Sequence, residues 1–407
     1  MIRRDIYLSM WQKLSSEKQM IFLSGPRQAG KTTFSKEIAK TFTNSVYFSW
    51  DILENKKTLM TDPAFFEKMN RKDESPPLVI FDEIHKYKNW KNYIKGIYDQ
   101  FFQSYKFLVL GSGSLDIFQK GGDSLAGRYF NLHLMPFTIA ELSRKRRNIR
   151  DFIQDPLTGF DINLSGETKE KWETLSQVGG FPEPYVKGSR DFYINWFRTY
   201  AGQIIREDIR NFAEIKNIDN VEILFSLLPA KVGSLLSIAN MSRDIQVSFG
   251  SIKNWLRLFE LQYLIFQLPP WTRKVSRAIL KEKKLYLFHY PEIEDEAAQF
   301  ENMTALELLR AVQNWNEQGA GRFSLHYIRN KEKEEVDFLL AENNKPMLLV
   351  ETKFSDETPA KALLKFQNIL HVPAVQLVNK EKVFRSFKNG DDKILIVTAH
   401  RWLSSLP

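Results

Sequence analysis

A glycine-rich segment, GPRQAGKTT at residues 25–33, lies between the apolar run QMIFL and the helix-like KTTFSKEIAKTF. It fits the pattern G-x-x-x-x-G-K-[ST], whose glycines let backbone N–H groups close around phosphates. The helix that follows such a loop presents its positive N-terminus to the same phosphates. The segment therefore predicts a strand, a phosphate loop and a helix in that order. A glycine turn that holds no ligand is the alternative.

This loop predicts ATP and Mg²⁺ as cofactors. Lys31 would reach the β- and γ-phosphates, and the Thr32 hydroxyl would ligate Mg²⁺. The residues predicted to bind the nucleotide are Gly25, Pro26, Arg27, Gln28, Ala29, Gly30, Lys31, Thr32 and Thr33.

Four more apolar runs follow before residue 137, namely SVYFSWD, PLVIFDE, KFLVLGSG and FNLHLMPF. Apolar strands alternating with helix-like segments indicate a parallel sheet that is covered on both faces. Asp82 and Glu83 lie at the end of the run PLVIFDE. Asp82 is placed there to hold the magnesium shell, and Glu83 could polarise the attacking water. Ser112, at the end of the run KFLVLGSG, could touch the γ-phosphate and is preferred over Ser114. Glycine and serine after a strand, however, usually mark only a turn.

Taken together, the segments MIFLSGPRQAGKTT, LVIFDEIHK, GSGSL, SLAGRYFNLHLMPFTIAEL and GGFPEPY resemble a family of prokaryotic AAA-type ATPases. Members of that family join such a core to a C-terminal domain recorded as of unknown function. The resemblance implies ATP hydrolysis and assembly into a ring or partial ring, such as a hexamer. It also implies that Arg128 acts as an arginine finger in a neighbouring subunit's site, whereas the sequence alone favours a surface or salt-bridged arginine.

Residues 234–268 predict two helices across a short turn and then a strand, YLIFQL, followed by the basic segment WTRKVSR. This order resembles a winged helix, which places its second helix in the major groove and its wing along phosphates. Winged helices also bind proteins, which stays an alternative. The predicted DNA-contacting residues are Lys253, Asn254, Arg257, Arg273 and Lys274, with Arg277 beside them. The basic run RKRRNIR at 144–150 is either a second phosphate track or a solvated loop.

The segment EEVDFLLAENNKPMLLVETKF at 334–354 predicts a hairpin carrying Asp337, Glu351 and Lys353. Two carboxylates can hold Mg²⁺ or Mn²⁺ to activate water, and a lysine can stabilise developing charge on a phosphate. Asp337 and Glu351 are the predicted metal ligands, with Glu301 as a further candidate. The layout resembles the PD-(D/E)xK nuclease superfamily, whose fold also serves as a DNA-binding platform without catalysis, so cleavage stays open.

The 407 residues therefore predict a multidomain α/β chain. Its parts are a parallel AAA-like ATPase sheet (1–140), a lid or connector (141–204), a helical winged-helix middle (205–279) and a mixed α/β restriction-endonuclease-like domain (280–407). One departure from the ATPase family is His289, which follows LYLF where the family typically has an aspartate.

The leading functional prediction is an ATP hydrolase that binds and remodels DNA, including branched DNA, as a homo-oligomer. The net charge of +9 favours an anionic partner, although a basic surface also serves solubility. An ATP-gated metal-dependent nuclease and a nucleotide switch that binds a protein are the alternatives. No apolar run approaches the ~18 residues of a membrane span, and the absence of cysteine fits a reducing compartment. We therefore expect a cytoplasmic protein without membrane contact.

Overall fold

The computed structural model describes residues 2–113, 125–161, 166–210, 217–272, 282–390 and 392–407. The chain divides into two units, Met1–Pro136 and Phe137–Pro407. The second unit contains the segments predicted as connector, winged helix and nuclease-like domain, together with residues 137–140, which were predicted to end the ATPase domain. The predicted boundaries at 140, 204 and 279 stay predictions.

A five-stranded sheet forms the centre of the N-terminal unit, in the order β2-β3-β4-β1-β5, and every neighbouring pair is parallel. The strands are β1 (Met20–Ser24), β2 (Ser45–Ser49), β3 (Leu78–Asp82), β4 (Lys106–Leu110) and β5 (Phe130–His133). The helices are α1 (Asp5–Glu17), α2 (Lys31–Ala39), α3 (Leu53–Thr61) and α4 (Trp90–Phe101).

Both faces of this sheet are apolar because its strands carry nearly continuous hydrophobic runs. Phe22 and Phe81 belong to one buried cluster, whereas Ile21 and Ile80 belong to another. Successive side chains point to opposite faces of a strand, so the two clusters are the cores on the two sides. The parallel sheet predicted from the sequence is confirmed.

The first half of the second unit is helical. Its helices are α5 (Ile139–Ser143), α6 (Ile149–Gln154), α7 (Gly166–Val178), α8 (Pro182–Lys187), α9 (Arg190–Gln203), α10 (Ile218–Leu227), α11 (Ile238–Ile245) and α12 (Phe249–Leu261). A π-helical turn, Ile204–Ile209, continues α9. The helical middle region predicted from the sequence is confirmed.

The region predicted as a winged helix, 205–279, contains α10, α11, α12 and strand β6 (Ile265–Leu268), which pairs with a strand just beyond its predicted end. Helix α11 and helix α12 begin with serine caps, Ser237 and Ser248, whose side chains accept backbone hydrogen bonds from Asn240 and Ser251. The antiparallel strands β6 and β7 (Lys284–Leu287) follow. The basic segment between them, residues 273–281 with Arg273, Lys274 and Arg277, lies outside the described residues.

A mixed six-stranded sheet completes the second unit, in the order β12-β13-β11-β10-β9-β8. Its strands are β8 (Phe323–Arg329), β9 (Glu335–Glu342), β10 (Lys345–Lys353), β11 (Ala374–Val378), β12 (Phe384–Asn389) and β13 (Asp392–Thr398). The helices are α13 (Glu296–Glu317), α14 (Lys361–Leu370) and α15 (Ala399–Leu403). The predicted mixed sheet is confirmed.

Asn302 of α13 fastens the helix to the end of β7. Its amide oxygen accepts a hydrogen bond from the Leu287 N–H at 2.7 Å, and its amide nitrogen donates to the Leu287 carbonyl at 2.7 Å. Asn302 is fully buried, so both backbone groups of Leu287 are satisfied without water. This contact fixes where β7 meets the C-terminal domain.

His289, two residues beyond β7, lies in an aromatic cage. Its ring stacks on Phe181 at a centroid distance of 4.4 Å and lies 4.6 Å from Tyr200. Within the described part of the chain, neither ring nitrogen has a hydrogen-bond partner. Burial lowers the pKa of His289 from its ordinary 6.5 to about 3. The side chain that departs from the family pattern is therefore a neutral core residue.

The buried imidazole predicts acid sensitivity of the fold. Below pH 6.5 the unfolded chain protonates His289 while the folded chain does not, so the free energy of unfolding falls as the pH decreases toward about 3. The slope from this group is about 1.4 kcal/mol per pH unit. Urea unfolding of the wild type and of His289→Phe at several pH values between 7 and 5 measures it. We expect the difference in stability between the two proteins to move in favour of the variant by about 2 kcal/mol between pH 7 and pH 5, with most of the change below pH 6. A constant difference would contradict the assignment.

Candidate functional site

The phosphate loop connects β1 to α2 through backbone angles that favour glycine. Gly25 has φ of 137° and Gly30 has φ of 93°, both in the region that side chains avoid. A Cβ on Gly25 would lie 2.3 Å from the Leu134 carbonyl oxygen. Only glycine therefore fits at the first position of the motif, and the loop can fold back over the sheet edge as a phosphate cradle requires.

Lys31 is the first residue of α2, and its side chain is buried. Its ammonium donates hydrogen bonds to the carbonyl oxygens of Gly25 at 2.9 Å and Pro26 at 2.6 Å. The charge is thus held inside the loop that wraps the predicted phosphate position. This placement fits the predicted role of Lys31 at the β- and γ-phosphates.

Thr32 and Asp82 meet, as the predicted magnesium site requires. The Thr32 hydroxyl donates to Asp82 Oδ2 at 2.8 Å, and the Tyr47 hydroxyl donates to the same oxygen at 2.5 Å. Burial and the Asp82 carboxylate raise the pKa of Tyr47, which therefore stays a donor. Thr32 and Asp82 would hold Mg²⁺, which neutralises charge on the nucleotide phosphates when it is bound. The sequence did not reveal the role of Tyr47, which lies on β2 and reaches Asp82 because β2 pairs with β3.

Glu83, the predicted water-polarising acid, follows β3 with a left-handed φ of 57°. Its N–H donates to the Leu110 carbonyl at 3.1 Å, which ties it to the end of β4. Its carboxylate lies 3.1 Å from the ammonium of Lys86, which also pairs with Asp51 at 2.8 Å. Lys86 therefore restrains Glu83 from the side. This restraint was not visible in the sequence.

Ser112 and Arg128 differ in how they relate to the loop. Ser112 follows β4, whose neighbours in the sheet are β3 and β1, so it lies at the edge that carries Glu83 and the phosphate loop. Arg128 forms a bidentate pair with Asp99 of α4, at 2.6 Å and 3.0 Å. Its role in a neighbouring subunit stays a prediction. Ser114 lies outside the described residues.

Arg4, which precedes α1, holds the phosphate loop by hydrogen bonds to backbone carbonyls. Its guanidinium donates to the Ala29 carbonyl at 3.2 Å and to the Met135 carbonyl at 2.6 Å, and it lies 4.7 Å from the centre of the Tyr7 ring. No motif surrounds Arg4 in the sequence, so its role follows only from the fold.

The second candidate site lies in the other unit, where four carboxylates converge. Glu335 and Asp337 lie on β9, Glu351 on β10 and Glu301 on α13. Strands β9 and β10 are antiparallel neighbours with Phe338 opposite Val350, which brings Asp337 beside Glu351. The predicted meeting of Asp337, Glu351 and Glu301 is therefore present in the structure.

Lys284 of β7 lies within this acid cluster. Its ammonium is 2.8 Å from Glu335, 3.0 Å from Glu301 and 3.2 Å from Asp337. Burial alone would lower the pKa of Lys284, but the three carboxylates raise it above its ordinary value. Sequence reasoning missed this lysine because it stands 53 residues before Asp337.

Both carboxylates of the predicted metal pair are held by protein donors. Asp337 Oδ1 accepts from Lys284, and Oδ2 accepts from the Thr352 N–H at 2.9 Å and the Thr352 hydroxyl at 2.6 Å. Glu351 Oε1 accepts from Lys353 at 2.5 Å, and Oε2 accepts from the Asp337 N–H at 3.3 Å. Across the described ranges, no three His, Cys, Asp or Glu side chains are arranged to hold a metal ion.

Burial dominates the protonation of the cluster. It raises the pKa of Glu351 to about 8, and the Asp337 charge adds to the shift. It raises the pKa of Glu301 to about 7 in the same way, and the Tyr286 hydroxyl donates to that carboxyl at 2.7 Å. The cluster is thus a desolvated network in which carboxyl groups and lysines neutralise one another.

Helix α12 presents the predicted DNA-contacting side chains to solvent. Lys253, Asn254 and Arg257 are exposed, whereas Ile252 and Phe259 of the same helix are buried. In the basic run at 144–150, not every basic side chain faces solvent, because the Arg147 guanidinium packs over the Phe152 ring at 4.8 Å. Helix α12 therefore offers the clearer polar face of the two.

Comparison with known protein families identifies the N-terminal domain. Residues 17–143 match the model of a family described as an AAA domain. This match supports an AAA-type P-loop ATPase. Residues 169–289 and residues 297–398 match two families described as domains of unknown function, DUF8612 and DUF4143.

Individual relatives are distant. The chain is 23% identical over 268 residues to uncharacterized protein Mb2031c of Mycobacterium bovis and, equally, to uncharacterized protein Rv2008c of Mycobacterium tuberculosis. The alignment takes in 66% of this chain and 54% of each relative, so the chain spans about half the length of these curated relatives.

The similar solved structures are distant from this chain. The Walker-type ATPase PABY2304 of Pyrococcus abyssi has 14% identity and a TM-score of 0.45, with 75% of this chain and 96% of that chain covered. The Orc1 protein of Aeropyrum pernix in complex with DNA has 10% identity and a TM-score of 0.34, with 75% and 93% covered. Likeness at these scores carries no inference about partners. In the described part of the chain, no helix is long and apolar enough to cross a membrane.

The nucleotide site predicts separate effects on binding and turnover. Glu83→Gln keeps the size of the side chain but removes the carboxylate, so we expect ATP affinity to change little while hydrolysis falls by about 100-fold or more. Fluorescent-nucleotide binding and phosphate release measure the two quantities. Glu54→Gln on α3, which makes the same substitution at an exposed acid, serves as the matched control and should hydrolyse ATP like the wild type. Equal rates in Glu83→Gln and wild type would remove Glu83 from the site.

Proposed function

We propose that this protein is an ATPase that binds DNA through the helix-turn-helix formed by α11 and α12. In this proposal, Mg-ATP hydrolysis at the phosphate loop changes how DNA, including branched DNA, is held. The proposal includes assembly into a ring-like homo-oligomer with Arg128 reaching a neighbouring subunit's site. It also places the protein in the cytoplasm, which the absence of cysteine fits.

The exposed face of α12 is the observation that supports DNA binding most. Lys253, Asn254 and Arg257 fall on one side of a helix whose other side is buried against its own domain. A helix in that position is the one that helix-turn-helix proteins place in the major groove. Lysine and arginine there provide the attraction to phosphates, and asparagine can read a base edge.

The charge of the whole chain agrees with this proposal. A net charge of +9 attracts a polyanion, and the acidic cluster in the C-terminal domain opposes this little because its carboxylates are paired with lysines. The same surface on a protein-binding winged helix would show no preference for DNA. The DNA-binding and protein-binding alternatives therefore predict different affinities for DNA.

The test is ATP hydrolysis with duplex, single-stranded or four-way-junction DNA and without DNA. We expect at least one form to raise the rate, with Lys31→Ala giving the background. Lys253→Glu combined with Arg257→Glu should weaken DNA binding by about 10-fold or more and abolish the stimulation, since two phosphate contacts are lost. DNA affinity is measured by fluorescence anisotropy at two salt concentrations.

The matched control reverses two other exposed lysines, Lys388 and Lys393, which lie opposite each other on β12 and β13. It changes the net charge equally and should retain DNA stimulation. If no DNA form binds or raises the rate, the proposal fails and the nucleotide switch with a protein partner takes its place. If DNA is cut and Asp337→Ala abolishes the cutting, the nuclease takes its place.

A further inference from the structure

We propose that the Lys284 ammonium is the built-in cation of the acid cluster, so that the carboxylates of the D…E-x-K pattern bind no divalent metal. The pattern implies a metal held by Asp337 and Glu351, but the surroundings of these two side chains do not fit one. This inference concerns the acid cluster and Lys284, and it does not depend on whether the chain acts on DNA.

The ammonium occupies the centre of the carboxylates. It lies between 2.8 Å and 3.2 Å from Glu335, Glu301 and Asp337, which come from a strand and a helix of the C-terminal domain. Three carboxylates from separate positions around one positive charge form the kind of oxygen cage that a metal ion would otherwise need. Lys284 supplies that charge from within the chain.

The remaining oxygens are also engaged. Asp337 Oδ2 accepts two hydrogen bonds from Thr352, and both oxygens of Glu351 accept from Lys353 and from the Asp337 N–H. A metal bridging Asp337 and Glu351 would have to displace these donors. It would also approach a cation a few ångströms away, and the repulsion is strong in a desolvated site.

Lys284 cannot leave the cluster easily. It is 2% exposed and belongs to β7, where it lies opposite Leu268 of β6. Asn302 holds the other end of β7 through both backbone groups of Leu287. The Lys284 side chain is therefore buried on a strand whose two ends are held, with its ammonium among the carboxylates.

The lysine and the acids come from different family regions. Lys284 lies within residues 169–289, whereas Glu301, Glu335 and Asp337 lie within residues 297–398. The ion pairs therefore join the helical middle to the C-terminal domain. Where a nuclease would need a metal to complete the site, this chain uses a strand of the preceding region.

The test is a Mn²⁺ titration of the full chain without nucleotide, followed by the electron paramagnetic resonance signal of the free ion. The proteins are wild type, Asp337→Asn, Lys284→Met, the double variant Lys284→Met/Asp337→Asn, and Lys283→Met as the control for loss of a neighbouring lysine. Sites elsewhere, including the phosphate loop, contribute equally to all five. Differences caused by Asp337 therefore report on the cluster.

We expect wild type, Asp337→Asn and Lys283→Met to bind Mn²⁺ alike. Lys284→Met should gain a site that binds at least about 10-fold more tightly than any cluster binding in the wild type, because one repelling charge is removed. The double variant should lose that site. Thermal unfolding should show Lys284→Met less stable than the wild type in metal-free buffer and stabilised by Mn²⁺.

Two results would overturn the proposal. One is a Mn²⁺ site in the wild type that disappears in Asp337→Asn, and the other is a folded Lys284→Met that gains no site. If Lys284→Met does not fold, the comparison of wild type with Asp337→Asn still decides, and Lys284→Arg, which keeps the charge, should match the wild type in Mn²⁺ binding.

Discussion

In the second unit, the buried ammonium of Lys284 lies among three partly buried carboxylates. Without Lys284, the side chains of Glu301, Glu335 and Asp337 would face one another in a desolvated space, where like charges are costly. The lysine reaches them only because β7 pairs with β6 and because Asn302 fixes its end against α13. Strand β7, which pairs with β6, and the mixed sheet with α13 are therefore joined by one set of ion pairs.

The N-terminal unit depends on a different constraint, the common edge of a parallel sheet. Because β1, β3 and β4 are neighbours that run in the same direction, the phosphate loop, Glu83 and Ser112 follow their carboxyl ends at one edge. Asp82 accepts hydrogen bonds from Thr32 and Tyr47 there, so the predicted magnesium ligands are already oriented by neighbours. The chemistry of this unit follows from strand order more than from any single side chain.

Sequence reasoning succeeded where a pattern is local. The apolar runs predicted every strand of the N-terminal sheet, and the motif GPRQAGKTT located the phosphate loop. Strand β12 has no apolar alternation in its sequence, because its residues are mostly exposed, so no local pattern predicts it. Lys284, Tyr47 and Arg4 were missed because each contacts residues that are distant in sequence. Lys86 was missed although Glu83 is three residues away, because its second partner, Asp51, is brought to it only by the fold. The spacing of Asp337, Glu351 and Lys353 predicted their meeting but could not reveal the lysine placed among them.

The most direct measurement is anomalous diffraction at the manganese edge, from crystals of the full chain grown with Mn²⁺ and a non-hydrolysable ATP analogue. We expect an anomalous peak beside Thr32 and Asp82. The Lys284 ammonium should remain between Glu335 and Asp337, with no peak at those carboxylates. A peak between Asp337 and Glu351, with Lys284 displaced, would show that the C-terminal cluster is a metal site and would contradict the account.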